Sequence, residues 1–99
     1  MRTKKYVTGL SVSGWKRKDN DTLTLILTDE GQEVWGWELV DSAGYGWQGS
    51  VTATEGTVAR QALEAIASNL HVMKDRTRWT AVRRLLRYEN KGALEQWKV

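Results

Sequence analysis

The 99-residue sequence contains no cysteine, no proline and no phenylalanine. The lack of cysteine excludes disulfides, thiolate catalysis and cysteine-ligated zinc. It also fits a reducing compartment, so we expect a cytoplasmic protein. The lack of proline leaves glycine to form the tight turns. A membrane helix needs roughly 20 consecutive apolar residues, and the sequence has neither such a run nor the apolar stretch of a signal peptide.

Histidine is also scarce, because His71 is the only one. A metal cluster built on histidines is therefore excluded, and a lone histidine just after a helix is typically a polar neighbour of the helix end. The glycines between residues 44 and 49 match neither a dinucleotide-binding motif nor a phosphate-binding loop. We expect no enzymatic activity, no cofactor and no metal. A small hydrolase built on Asp19, Asp21 and His71 is the least favoured alternative, since the two aspartates are typical turn residues.

Ninety-nine residues suffice for one domain with one hydrophobic core, and we treat residues 1–99 as that domain. Four segments alternate between apolar and polar residues or are bounded by turn residues, which predicts four β-strands. The predicted strands are residues 5–15, 22–28, 33–41 and 45–53, the last weakened by its glycines. A hairpin turn at residues 29–32 has Gly31 available for a positive φ. The short connections favour an antiparallel meander.

The hydrophobic period changes after the fourth strand. Between residues 55 and 70, apolar side chains recur every three or four positions, which predicts a helix packed on the sheet, with Thr54 as its N-cap. The residues of this apolar stripe are Val58, Ala59, Ala62, Leu63, Ile66 and Leu70. A second helix is predicted from 77 to 89, with Trp79, Val82, Leu85 and Leu86 on its apolar side and Gly92 just past its end. The order ββββαα indicates an α+β fold.

Charge is segregated along the chain, although the net charge is only +3. Residues 1–18 contain six basic and no acidic side chains, and residues 19–73 contain nine acidic side chains against Arg60 alone. Residues 74–99 contain eight basic and three acidic side chains. The two basic ends therefore either attract the acidic middle or together form a basic surface.

The second predicted helix, together with Arg76 just before it, carries five of the eight basic side chains of residues 74–99. Its candidate phosphate-binding residues are Arg76, Arg78, Arg83, Arg84 and Arg87. Guanidinium groups along one helix are suited to phosphate oxygens. A second candidate cluster, Lys16, Arg17 and Lys18, lies in the loop after the first strand. The alternative interpretation is an ordinary amphipathic helix with its polar side in water, for which arginine is a good helix former.

Six of the nine aromatic residues of the chain are tryptophans. Trp35 and Trp37 share one face of the third strand, and Trp47 lies in the neighbouring strand. Together they form a candidate aromatic contact face on which unpaired bases would stack. Since the chain lacks phenylalanine, the same residues are also the obvious core fillers, and we favour a core position for at least part of this set.

We therefore expect a non-enzymatic module that binds nucleic acid mostly through phosphates, with strong salt dependence and little sequence dependence. The alternative is a protein-interaction module, such as a small inhibitor or adaptor. It would use a tryptophan-rich face, or set the arginine helix against an acidic protein. A homodimer formed through an exposed fourth strand or a tryptophan patch is a further alternative. No membrane partner is expected.

Overall fold

The computed structural model describes residues 2–9, 22–42, 44 and 46–98. Its elements are β1 (Thr3–Gly9), β2 (Thr22–Gly31), β3 (Val34–Asp41), β4 (Gly46–Thr52), α1 (Val58–Val72), α2 (Arg76–Asn90) and a short 3-10 helix (Leu94–Trp97). The strands form one antiparallel sheet in the order β1-β2-β3-β4. The predicted meander and the ββββαα order are confirmed. Residues 10–15 of the first predicted strand lie outside the described residues.

The sheet has one buried face and one face open to solvent, as the alternation along its strands predicts. On β2, Leu23, Leu25 and Leu27 are fully buried, whereas the intervening Thr24 and Ile26 are half-buried on the other face. We call the leucine side the inner face and the opposite side the outer face. A strand with this alternation must place its leucines against another layer.

Both helices form that second layer. Every residue of the stripe predicted for the first helix is buried. On α2 the buried residues are Ala81, Val82, Leu85 and Leu86. All of them belong to one core cluster with the inner-face residues of the sheet. The helix α2 therefore packs beside α1 and at the same time turns its other side to solvent.

The helix starts differ from the sequence-based boundaries for local reasons. Thr54 was predicted as the N-cap of the first helix, but α1 begins at Val58 with Thr57 as the N-cap. The helix begins later than predicted because the Thr57 N–H donates a hydrogen bond to the Thr54 carbonyl at 3.1 Å, which forms a separate turn before the helix. The helix α2 begins at Arg76, because the side chain of Asp75 accepts a hydrogen bond from the Arg78 N–H at 3.2 Å.

Two glycines adopt a positive φ at the turn and the helix end where the sequence predicted them. Gly31 has a φ of 89° in the β2–β3 hairpin, and Gly92 has a φ of 70° just past α2. The hairpin also holds Gln32 and Glu33 at positive φ, which the sequence did not indicate. After the 3-10 helix, Lys98 forms an isolated antiparallel bridge with Tyr6 of β1. Over the described parts of the chain, no helix is both long and apolar enough to cross a membrane.

Candidate nucleic-acid interface

Three arginines form an exposed row along α2, which we call the arginine stripe: Arg76, Arg83 and Arg87. Their spacing of seven and four residues places them on one side of the helix, opposite the buried Leu85. With a rise of 1.5 Å per residue, their Cα atoms are separated along the axis by about 10 Å and about 6 Å. The row is therefore long enough to contact several successive phosphates of one strand.

The arginine stripe carries positive charge that is not neutralised inside the described part of the molecule. No ion pair there joins Arg76, Arg83 or Arg87 to a carboxylate. The guanidinium of Arg83 instead lies 5.9 Å from the ring centroid of Trp79. Since exposed guanidinium groups retain their hydration and their charge, the stripe is a surface that attracts anions.

Arg78 belongs to the same helix, but its guanidinium faces the sheet. Its Nε atom donates to Oδ2 of Asp41 at 3.0 Å, its Nη2 atom pairs with the same carboxylate, and its Nη1 atom donates to Asp75 at 2.8 Å. Its Cζ atom lies 5.0 Å from the ring centroid of Trp47. The Asp41 side chain has only 1% of its area exposed. The structure therefore places Arg78 in a contact between α2 and the end of β3.

The ionisation of Arg78 fits this internal position. Burial by itself would lower the pKa of Arg78, but hydrogen bonds to Asp41 and Asp75 and the charges of both carboxylates outweigh burial and raise the pKa. Arg78 is thus held in its charged form as the counterion of a buried carboxylate. The three residues of the arginine stripe have no such carboxylate partner in the described part of the chain.

Arg84 has an intermediate position between these two environments. It is half-buried, and its Nη1 atom lies 3.4 Å from the hydroxyl oxygen of Thr8, a buried residue near the end of β1. Arg84 therefore flanks the arginine stripe while its side chain is held against the sheet.

The second predicted basic cluster, Lys16, Arg17 and Lys18, lies outside the described residues. The residues on either side of the undescribed segment, Gly9 and Thr22, pair with each other at one end of the sheet.

The basic residues of the N-terminus serve a different purpose. Arg2 pairs with Glu55 and lies 3.4 Å from Asp29, and the Lys4 Nζ atom lies 3.8 Å from Glu55. Lys4 also lies 5.9 Å from the ring centroid of Trp35. At this end of the chain, basic residues therefore attract the acidic middle, which is one of the two outcomes that the charge segregation allowed.

Trp35 and Trp37 lie on the inner face, with only 2% and 8% of their area exposed. They therefore fill the core and do not form an exposed aromatic face. The ring of Trp37 lies over Gly49, so close that a Cβ atom on Gly49 would be 2.5 Å from Trp37 Cζ2. Trp47 is half-buried, packed against the core and against Arg78.

Trp79 lies beside the arginine stripe, in contact with Arg83, although the sequence placed it only on the apolar side of the helix. The structure shows it half-buried, with its ring 6.5 Å from that of His71. It lines two neighbouring clefts between α1 and α2, one of about 340 Å³ beside Arg76 and one of about 620 Å³ beside Arg83. The sequence could have indicated this position, because residue 79 is three residues after Arg76 and four before Arg83, and residues at these spacings are neighbours on a helix surface.

The described residues contain no group of three or more histidine, aspartate or glutamate side chains arranged to hold a metal ion. Comparison of the chain with protein-family models, curated proteins and solved structures finds no significant match. The function is therefore inferred from the geometry of the site itself.

Proposed function

We propose that the protein is a non-enzymatic, cytoplasmic module that binds nucleic acid through phosphate contacts made by α2. The observation that carries this proposal is the arginine stripe, in which Arg76, Arg83 and Arg87 are exposed and without a carboxylate partner in the described part of the chain. Guanidinium groups form strong, two-pronged hydrogen bonds with phosphate oxygens. Arg84 flanks the stripe, and Lys16, Arg17 and Lys18, which lie outside the described residues, remain candidate contacts.

The proposed interface has a defined electrostatic signature. Each phosphate that a cationic side chain neutralises on duplex DNA lowers the slope of log K against log salt by about 0.9. Three arginine contacts therefore correspond to a slope of about −2.7 on duplex DNA. Contacts to phosphate carry no base information, so the affinity should depend little on sequence.

The deciding experiment measures binding of labelled random oligonucleotides, single- and double-stranded, from low to physiological salt. The double variant Arg83→Glu, Arg87→Glu should lose binding, because it places two negative charges on the stripe. The matched control is Lys5→Glu, Arg60→Glu, which changes the net charge equally at two exposed residues outside the stripe. Its affinity should fall much less.

Two outcomes would contradict the proposal. Absence of binding even at low salt would show that the stripe is a solvated surface. An equal loss in the stripe variant and in the control would show attraction by net charge without a defined interface.

The alternative function, a protein-interaction module, is favoured by a different surface. Val72, the last residue of α1, and Met73, which follows it, have 80% and 55% of their area exposed. They line a groove of about 290 Å³ together with Trp37 and Trp47. Exposed apolar side chains beside a groove are typical of a protein contact, and such a contact would depend only weakly on salt.

A further inference from the structure

The two edge strands of the sheet are protected to different degrees. The edge strand β1 carries Lys4 and Lys5, and Lys98 bridges to it at Tyr6. The other edge strand, β4, has the sequence GWQGSVT and contains no charged residue and no proline. Natural proteins usually protect an edge strand with charges, proline or a covering segment, because a bare edge pairs with other strands.

The hydrogen-bonding direction of β4 can be read from its neighbour. The Ala53 N–H donates to the Glu33 carbonyl at 2.8 Å, which continues the β3–β4 ladder. In an antiparallel pair, hydrogen-bonded and non-hydrogen-bonded positions alternate. Trp47, Gly49 and Val51 therefore direct their backbone groups to β3. The backbone groups of the alternate residues, Gly46, Gln48, Ser50 and Thr52, point to the open edge.

We propose that β4 pairs with β4 of a second copy of the chain, antiparallel about a two-fold axis at Gly49, so that two sheets join into one. In this register Gln48 lies opposite Ser50 of the second copy, on the outer face. Trp47 lies opposite Val51 of the second copy, on the inner face. Aromatic and β-branched residues form favourable cross-strand pairs. No pair brings two charges together, so the strand is complementary to itself.

The residue on the proposed axis also fits. The two copies of Gly49 would form a non-hydrogen-bonded pair, in which Cα atoms approach to about 4.5 Å. On the inner face, the ring of Trp37 takes the space that a side chain at Gly49 would occupy, so the absent side chain leaves no gap there. Gln48 and Ser50 would supply the hydrogen-bonded pairs on either side of the axis.

An apolar surface next to this edge adds contact area. Trp47 and Gln48 line the same groove as Val72 and Met73. Trp47 and Val51 are both half-buried in the single chain, so a second copy would cover the area that they leave exposed. A second copy would thus bury apolar area and satisfy the open backbone groups in one contact. The proposal does not depend on nucleic-acid binding.

Sedimentation equilibrium across a range of concentrations tests the register. The wild-type chain should sediment with twice the monomer mass. The variant Gln48→Lys, Ser50→Lys places lysine opposite lysine twice, and its dimer should dissociate with at least a tenfold higher Kd, since directly opposed like charges destabilise a strand pair. The variant Gln48→Lys, Ser50→Glu places lysine opposite glutamate, and it should remain dimeric.

A monomeric wild-type chain at all concentrations would overturn the proposal. If the dimer persists in the double lysine variant, the interface does not lie at β4. Dissociation of the lysine–glutamate variant would exclude this register. Capture of foreign extended peptides by a monomeric wild-type chain would assign the edge to another partner.

Disulfide crosslinking gives a second readout that does not rely on destabilising variants. The chain has no cysteine of its own, so introduced cysteines are unambiguous. Residues 48 and 50 would face each other across the axis with Cα atoms about 5.5 Å apart, within the reach of a disulfide. A mixture of Gln48→Cys and Ser50→Cys chains should crosslink under oxidation. Either variant alone should not, because identical positions would be offset by two residues. Crosslinking of a single variant as fast as the mixture would contradict the register.

Discussion

The Nε atom of Arg78 lies 3.0 Å from Oδ2 of Asp41, a carboxylate with 1% of its side-chain area exposed. This contact joins the first turn of α2 to the last residue of β3. It distinguishes Arg78 from the three residues of the arginine stripe, since the charge of Arg78 is paired inside the protein. Arg76, Arg83 and Arg87 remain directed to solvent.

Substitution of Arg78 by methionine should destabilise the fold. Arg78→Met removes the guanidinium that pairs with the buried Asp41 carboxylate, so the free energy of unfolding should fall by about 3–5 kcal/mol. Urea denaturation measures the change. The matched control, Arg76→Met, alters an exposed arginine two positions away and should change stability by less than about 0.5 kcal/mol. Adding Asp41→Asn to Arg78→Met should recover part of the loss. Equal effects of the two arginine substitutions would contradict the structural role of Arg78.

Trp79 should distinguish single strands from duplexes. Its ring lines the clefts beside the arginine stripe, and an unpaired base stacked on tryptophan contributes about 1–3 kcal/mol. Trp79→Leu retains an apolar side chain for the core contact but removes the stacking surface. We expect an affinity for single-stranded oligonucleotides about tenfold lower, with a smaller change for duplexes, measured by fluorescence anisotropy of labelled strands. Trp47→Leu, away from the stripe, is the control. Parallel losses for both nucleic acids would show that Trp79 only supports the helix.

Stability should decrease at high pH because of Tyr6. Burial raises the pKa of Tyr6 from 10.0 to about 12, and the negative charges of Glu95 and Glu89 add to the effect. In the unfolded chain this hydroxyl loses its proton above pH 10, whereas the folded chain retains it until about pH 12. The contribution is therefore complete below pH 10 and is lost as the pH rises towards 12.

Urea unfolding at several pH values in this window measures the decrease. Tyr6→Phe removes the ionisable group, so its stability should fall less steeply over the same interval. An identical slope in both proteins would assign the decrease to other groups.

The β2–β3 hairpin offers a stabilising substitution. Glu33 has a φ of 63°, and a non-glycine residue in this left-handed region costs about 1–2 kcal/mol. Glu33→Gly relieves the strain and retains the carbonyl that accepts the Ala53 N–H, so thermal unfolding should show a gain of about 1 kcal/mol. Glu33→Ala removes the same side chain but keeps the strain, and it should give no gain. A gain in both variants would indicate an effect of charge.

The sequence alone determined the elements and their faces, because these follow from local periodicity. The leucines at 23, 25 and 27 alternate with polar or outward residues, and a strand of that kind has only one side to bury. The apolar stripe of α1 and the glycine at 92 are equally local signals. The predicted start of α1 was less accurate, because a separate turn, closed by the hydrogen bond from the Thr57 N–H to the Thr54 carbonyl, precedes the helix.

The sequence also identified the arginines as candidate phosphate-binding residues, but only the tertiary structure shows which of them are exposed to solvent. Residue 78 is four positions before Val82 and seven before Leu85, so helical periodicity already places it on the inward side. What makes an arginine acceptable there is Asp41, thirty-seven residues earlier in the chain, brought beside it by the packing of α2 on the end of β3. Trp35 and Trp37 show the same dependence: their strand positions were readable, while their burial required a second layer above them. Pairing across long sequence separations leaves no periodic signal in the chain, and it is set only when the sheet and the helices close around one core.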